Sequence, residues 1–98
     1  MTQKVAIVTG AAHPMGMGFA ACKKFAEAGV RVVVTDLGVS DDAAGEIQAR
    51  ADEIIAAGGE AIAIAVDVTS TEQVDACMAK VHESFGRIDF LFNNAGSP

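Results

Sequence analysis

The chain has 98 residues, of which 51% are hydrophobic and 20% are charged, and its formal net charge is −6 at pH 7. This composition is typical of one small globular domain and excludes an intrinsically disordered chain. The acidic balance, with no cluster of Lys or Arg, argues against a nucleic-acid partner, and no apolar run approaches the length of a transmembrane helix.

The two cysteines, Cys22 and Cys77, are far apart and belong to no CxxC motif or histidine cluster. We therefore expect reduced thiols packed in helices, rather than a disulfide or a metal site. The first predicted strand begins near Lys4, which leaves no room for a signal peptide. These features together predict a cytoplasmic protein without a metal.

Strands and helices are predicted to alternate along the whole chain, because short apolar runs alternate with segments of helical periodicity. The predicted elements are a strand over residues 5–8, a helix over 17–28, a strand over 30–34, a helix over 42–57, a strand over 61–66, a helix over 71–85 and a strand over 88–92. This order predicts an α/β fold, a Rossmann-like, doubly wound parallel sheet with strand order 3-2-1-4.

Each predicted helix has one apolar face, which we expect to pack on the sheet. The residues on these faces are Phe19, Cys22, Phe25 and Ala26 in the first helix, Ile47, Ala51, Ile54 and Ile55 in the second, and Val74, Met78, Val81 and Phe85 in the third. Met78 is interpreted as core filler. The last strand is an expected sheet edge, where Phe90 and Phe92 have little to cover them on one face.

Glycines and polar residues mark the predicted helix ends. Gly29, Gly58-Gly59 and Gly86 each follow a predicted helix, where a glycine commonly terminates it. Ser40 or Asp41 is the expected N-cap of the second helix. Ser70-Thr-Glu-Gln73 has the form of a capping box, which predicts the start of the third helix.

The segment after the first strand is rich in glycine. Gly10, Gly16 and Gly18 lie between the predicted strand and the first turn of a helix that begins near Met17. Glycine lets a backbone approach another group closely, and a helix N-terminus favours a bound phosphate. This segment therefore predicts a pyrophosphate site. The alternative is a plain strand–helix turn with glycines for tight packing.

A carboxylate follows at the tip of the second strand. Asp36 lies 18 residues after Gly18, where it can accept hydrogen bonds from both hydroxyls of an adenosine ribose and would repel a 2′-phosphate. Position 37 is a leucine, and the glycine loop contains no Arg or Lys. The sequence therefore favours NAD over NADP. The alternative is that Asp36 is only a turn residue that ends the strand.

The third and fourth strands also end in candidate cofactor residues. The Asp67 carboxylate could accept the amine of adenine, with the backbone of Val68 against the ring edge. Alternatively, Asp67 only starts a turn or supports the cap at Ser70. Asn93 is expected to bridge neighbouring strands, and residues 94–96 to pass beneath the ribose, where small residues allow close approach.

These motifs occur together in the order and spacing of one family. Over essentially all 98 residues, the chain resembles the N-terminal, cofactor-binding half of the short-chain dehydrogenases/reductases. The resemblance implies an NAD-binding domain over residues 1–98, as part of an oxidoreductase that transfers hydride between nicotinamide and an alcohol or carbonyl. The implied cofactor contacts are Gly10, Met15, Gly16, Met17, Gly18, Asp36, Leu37, Asp67, Val68, Asn94, Ala95 and Gly96.

The glycine loop departs from the family pattern. Five residues separate Gly10 from Gly16, whereas the family usually has three between its first two glycines. Pro14 stiffens this longer loop and restricts His13. His13 is therefore either a phosphate contact or a solvent-exposed loop residue.

The family's catalytic residues are also missing from this chain. Those residues are a Ser and a Tyr-x-x-x-Lys pair in the C-terminal half, and these 98 residues include no tyrosine. We therefore expect cofactor binding without turnover, and either self-association or pairing with a missing C-terminal half at the exposed last strand. The alternatives are a stand-alone NAD-binding or adenine-nucleotide-binding module and the remnant of a truncated gene.

Overall fold

The computed structural model describes residues 3–37 and 41–93, and in Asp41 the backbone alone. The elements in these ranges are β1 (Val5–Val8), α1 (Met17–Glu27), β2 (Arg31–Asp36), α2 (Asp41–Ala56), β3 (Ala61–Ala65), α3 (Thr71–Phe85) and β4 (Phe90–Phe92). The predicted loop residues 38–39, the predicted cap Ser40 and the candidate residues 94–96 lie outside the described residues.

The four strands form one parallel sheet in the order β3-β2-β1-β4, which confirms the predicted topology. Val8 at the end of β1 pairs with Val34 on one side and with Phe92 on the other. Asp36 at the end of β2 pairs with Ala65 at the end of β3. All four carboxyl ends therefore lie at one edge of the sheet, where ligands bind in folds of this kind.

Both faces of the sheet are covered, which explains the continuous apolar runs of β1 and β2. All four residues of β1 are buried. One apolar cluster joins Val8, Val32 and Val34 to residues of α1 and α2. A second cluster joins Val5, Ile7 and Val33 to α3. The two clusters hold the three helices against the sheet, so that α1 starts beside the carboxyl edge.

The predicted helix faces are confirmed except at one position. Ile54 is buried, but Ile55 is 50% exposed. Successive residues of a helix point about 100° apart, so only one of these two isoleucines can face the sheet. On α3, Cys77 joins Val81 among the buried residues, and Met78 packs against the same cluster as predicted.

Several strand and helix ends differ from the prediction. The N–H of Val30 donates to the carbonyl of Phe25, so Val30 belongs to the turn after α1 and β2 starts at Arg31, while its end at Asp36 was predicted. Helix α2 includes Asp41, which is therefore not its N-cap. The third predicted strand is one residue too long, because Val66 follows β3.

Strand β4 is shorter than predicted because a side chain replaces part of its hydrogen bonding. The N–H of Asp89 donates to the carbonyl of Val5 at 2.9 Å. The N–H of Val5 donates in return to the carboxylate of Asp89 at 2.8 Å. Regular pairing therefore starts at Phe90 rather than Ile88.

Helix α3 is capped at both ends, as predicted. The Ser70 hydroxyl accepts a hydrogen bond from the N–H of Gln73, and Gly86 ends the helix in a left-handed conformation with φ of 77°. The Gln73 side chain accepts the N–H of Asp67 at 2.9 Å rather than that of Ser70. Only one of the two hydrogen bonds of a capping box is therefore present. The Gln73 side chain instead supports the turn that follows β3.

Candidate functional site

The glycine loop folds back over the tip of β2. The N–H of Ala11 donates to the carbonyl of Thr35, and the N–H of Ala12 donates to the carboxylate of Asp36, each at 2.9 Å. Gly10 begins this turn with φ of 64°, a conformation that residues with a Cβ rarely adopt. The loop and Asp36 therefore form one continuous structure at the carboxyl edge.

The longer part of the loop makes its own turn around His13. Its ring Nδ1 accepts the N–H of Met15, and its carbonyl accepts the N–H of Gly16, both at 3.0 Å. The side chain of His13 is exposed, as are those of Met15 and Met17, at 88% and 73%. His13 thus organises the loop backbone. It lies at the surface, as predicted for a solvent-exposed loop residue.

Helix α1 begins without a side-chain cap. Gly16 is its N-cap residue in an extended conformation and has no side chain to cap the first turn, which contains no acidic residue. A Cβ at Gly16 would approach the carbonyl oxygen of His13 to 3.3 Å, so a larger residue would crowd the turn. N–H groups at a bare helix start, together with a close backbone, suit a phosphate. This geometry fits a dinucleotide.

The Asp36 carboxylate is oriented by two backbone N–H groups, from Ala12 at 2.9 Å and from Leu37 at 2.8 Å. They bond different oxygens, and each oxygen keeps one further acceptor position. The adjacent Thr35 is buried, and its hydroxyl donates to the carbonyl of Val8 at 2.8 Å. With one acceptor position left on each oxygen among the described residues, this carboxylate could accept the two hydroxyls of a ribose.

Asp67 forms a local turn with Thr69. One of its oxygens accepts the backbone N–H of Thr69 at 2.9 Å and the hydroxyl of Thr69 at 2.6 Å. These hydrogen bonds, the one from the hydroxyl above all, lower the pKa of Asp67. Val68 beside it is 46% exposed. The structure thus shows the turn-forming role of Asp67, while its contact with adenine stays a prediction.

Asn93 joins the ends of two neighbouring strands, as predicted. Its side-chain oxygen accepts the hydroxyl of Thr9 at 3.1 Å, and the N–H of Thr9 donates to the carbonyl of Phe92. A cavity of about 190 Å³ opens beside this pair on the α3 side, lined also by Thr35 and Val68. Since ligand pockets usually exceed about 300 Å³, this cavity suits one part of a ligand rather than a whole dinucleotide.

Of the two thiols, that of Cys77 lines this cavity, whereas Cys22 does not. Cys22 on α1 and Cys77 on α3 are free and buried, as predicted. Burial raises the pKa of Cys22 to about 12 and also raises the pKa of Cys77. Since the thiolate is the reactive form, neither is a nucleophile near neutral pH. Among residues 3–37 and 41–93, no group of His, Cys, Asp and Glu could hold a metal ion.

The sequence model of the short chain dehydrogenases matches residues 4–98, which include the glycine loop and all four strand ends. The chain belongs to this family. In the described part of the chain, no helix is long and apolar enough to cross a membrane.

Two curated relatives show the extent of the match. The chain is 42% identical to galactitol 2-dehydrogenase of Agrobacterium fabrum, over 97% of its own length and 33% of the relative's. It is 43% identical to the 3-oxoacyl-[acyl-carrier-protein] reductase of Synechocystis sp., over 98% of its own length and 36% of the relative's. The chain thus spans about a third of the length of these relatives.

Solved structures share the fold closely. A hydroxysteroid dehydrogenase from Escherichia coli is 38% identical with a TM-score of 0.83, over 98% of this chain and 38% of that one. A metagenomic short-chain oxidoreductase in complex with NADP is 38% identical with a TM-score of 0.82, over 99% of this chain and 41% of that one. These values confirm the Rossmann-like half-sheet.

One residue that contacts the glycine loop was not predicted from the sequence. Arg50 on α2 donates to the carbonyl of Ala12 in the glycine loop at 3.2 Å. Its only sequence signal is the spacing to Glu46 and Glu53, which normally indicates a solvated ion-pair face of a helix. That spacing does not reveal a contact with a loop 38 residues earlier.

Proposed function

We propose that this short-chain dehydrogenase binds NAD at the carboxyl edge of its sheet, as the cofactor-binding part of an oxidoreductase that acts on an alcohol or a carbonyl. The observation that carries the proposal is the pairing of a bare helix start at Gly16 with the oriented carboxylate of Asp36. Phosphate and ribose need these two groups side by side. When bound, the nicotinamide accepts or donates the hydride.

Each part of the cofactor is proposed to contact a different set of residues. Gly10, Met15, Gly16, Met17 and Gly18 provide the backbone around the pyrophosphate, where Gly18 is buried within the first turn of α1. Asp36 and Leu37 hold the ribose of the adenosine, and Asp67 and Val68 meet the adenine. Asn94, Ala95 and Gly96 are proposed beneath the ribose and lie outside the described residues.

The proposed preference for NAD over NADP rests on Asp36. A 2′-phosphate would meet its carboxylate at the position where a ribose hydroxyl donates, and two like charges at that distance repel. Residue 37 is a leucine and supplies no cation to offset the repulsion. Membership of the family does not decide between the cofactors, since one similar structure is in complex with NADP.

We further propose that these 98 residues bind the cofactor without turnover. The resemblance assigns the general acid to a tyrosine, and the sequence contains none. The complete reaction then needs residues such as those in the further two thirds of the relatives. A stand-alone NAD-binding module would use the same site. Either form is proposed to be cytoplasmic, where buried free thiols such as Cys22 and Cys77 persist.

The test is a calorimetric titration of the purified chain with NAD and, separately, with NADP, after circular dichroism has shown that the chain is folded. We expect saturable binding that is tighter for NAD. A folded chain that binds neither nucleotide would overturn the proposed site. Equal affinity for both would overturn the preference. Hydride transfer by the 98-residue chain, followed by the absorbance of the reduced cofactor, would contradict the proposed lack of turnover.

A further inference from the structure

Arg50 connects helix α2 to the glycine loop. One nitrogen of its guanidinium donates both to the carbonyl of Ala12 at 3.2 Å and to the carboxylate of Glu46 at 3.1 Å. The Nε atom forms an ion pair with Glu53, and the guanidinium lies 5.7 Å from the ring centroid of Phe19. The side chain is only 12% exposed. Arg50 is therefore held from several sides at the base of the loop.

Ala12 is bound through both of its backbone polar groups. Its carbonyl accepts from Arg50, and its N–H donates to Asp36 at 2.9 Å. A single residue thus separates the guanidinium from the carboxylate proposed to bind the ribose. If Arg50 no longer donates to the carbonyl of Ala12, we expect the loop to shift. The N–H of Ala12 would then no longer orient the carboxylate of Asp36.

We propose that Arg50 is a positioning residue for NAD, which acts through Ala12 to orient the carboxylate of Asp36. This inference rests on the proposed NAD site and adds the residue that holds the site in shape. A planar guanidinium suits this role because it forms several hydrogen bonds in fixed directions, whereas a lysine supplies only a point charge.

The charges around Arg50 favour this role over phosphate binding. Glu46 and Glu53 both pair with the guanidinium, so its positive charge is offset within α2. The two roles give opposite predictions. A positioning residue supports the ribose hydroxyls and therefore NAD, whereas a ligand of the 2′-phosphate would support NADP.

The first test compares Arg50→Met and Arg50→Lys with the unsubstituted chain. Methionine keeps the packing on Phe19 and removes the donors. We expect Arg50→Met to weaken NAD binding about three- to tenfold, as for the loss of one hydrogen bond, and to leave NADP binding nearly unchanged. Arg50→Lys should restore part of the NAD affinity. Lys80→Met, which removes an exposed cation from α3, is the matched control and should bind as the unsubstituted chain does.

A double-mutant cycle identifies the route of the effect. If Arg50 acts through Asp36, Arg50→Met should have no further effect on NAD affinity in a chain that already carries Asp36→Ala. An equal loss in both backgrounds would show that Arg50 acts elsewhere and would overturn the inference. A larger loss for NADP than for NAD would overturn it in favour of phosphate binding.

Amide hydrogen exchange tests the link without any cofactor. The N–H of Ala12 should exchange faster in Arg50→Met than in the unsubstituted chain, while Lys80→Met leaves its rate unchanged. An unchanged rate in Arg50→Met would overturn the role of Arg50 even if NAD binds. Absence of NAD binding by the unsubstituted chain would instead overturn the proposed function, and with it the role of Arg50 in binding.

Discussion

Among single residues, Asp36 is the one on which the proposed preference for NAD depends. Its two oxygens each accept one backbone N–H and keep one acceptor position. The loop that supplies one of these N–H groups is itself held by Arg50. The contact with Ala12 shows that Asp36 does more than end β2, because its carboxylate also holds the glycine loop.

We expect Asp36→Ala to weaken NAD binding about tenfold or more, because hydrogen bonds to a charged group contribute about 1.5–3 kcal/mol. NADP binding should change less, since the substitution also removes the repulsion of the 2′-phosphate. Calorimetry with both nucleotides measures the ratio of the dissociation constants for NAD and NADP. Asp52→Ala, which removes an exposed carboxylate from α2, is the control. An unchanged preference would show that Asp36 is only a turn residue.

Asp89 gives the fold a dependence on pH. Hydrogen bonds from Arg87, then from the N–H of Val5, hold the pKa of Asp89 below its usual value. A carboxyl whose pKa is lower in the folded state than in the unfolded one stabilises the fold above its unfolded pKa, which is about 3.9. That contribution is lost as the pH falls from there through the folded pKa.

Asp89→Asn should therefore lower the free energy of unfolding near pH 7, and the difference from the unsubstituted chain should shrink on acidification below about pH 4. Urea unfolding at a series of pH values measures the free energy of unfolding against pH for the variant and for the unsubstituted chain. Asp75→Asn, at an exposed carboxylate on α3, controls for the loss of one negative charge. Parallel curves for Asp89→Asn and the unsubstituted chain would rule out this contribution.

At the scale of elements, α3 shows how local signals set the start and the end of a helix. Ser70 bonds the N–H of Gln73, and Gly86 takes the left-handed conformation that ends the helix. Between these caps, Cys77 and Val81 bury one face against the sheet. Caps and face are each readable from spacing in the sequence, which is why this helix was predicted closely.

Ser70→Ala should lower the free energy of unfolding by about 1 kcal/mol, since it removes a side-chain cap. Denaturant unfolding followed by circular dichroism measures the shift in midpoint. Ser84→Ala lies at the other end of the same helix, is exposed, and should have little effect. If both variants unfold at the same denaturant concentration as the unsubstituted chain, the hydroxyl of Ser70 does not stabilise α3.

At the scale of the whole molecule, β4 is an exposed edge of the described sheet. Phe90, Leu91 and Phe92 are 39%, 56% and 37% exposed. Phe90 stacks on Phe25 at 5.6 Å between ring centroids, which covers it only in part. An apolar edge strand of this kind is a template for pairing with another strand.

We expect the 98-residue chain to self-associate through β4, because its open edge and exposed apolar side chains can pair with a second copy. Light scattering after size exclusion, over a series of concentrations, should show a mass above that of the monomer. Leu91→Lys should reduce the association by placing a charge on the edge. Ile55→Lys changes an equally apolar side chain on α2, 50% exposed, and should not. A stable monomer at high concentration would contradict the prediction.

The order of elements, the parallel topology and the carboxyl edge as the candidate site could all be predicted from the amino-acid sequence. These features follow from local chemistry: β-branched runs such as Val5–Val8, glycines at helix ends, and a cap at Ser70. Because every strand is parallel, a residue known to end a strand is also known to lie at one edge. The positions of Asp36 and Asn93 were therefore predictable without coordinates.

The hydrogen bonds that join the parts of the site could not be predicted from the sequence and are seen only in the folded chain. The bond from Arg50 to Ala12 spans 38 residues, the bond from Ala12 to Asp36 spans 24, and the bond from Val5 to Asp89 spans 84. Such contacts depend on the angle at which a helix packs and on how far a side chain reaches. The spacing of residues along the chain predicts neither the packing angle nor the reach of a side chain. It shows which residues are neighbours within one helix or strand, but not how far apart two such elements lie.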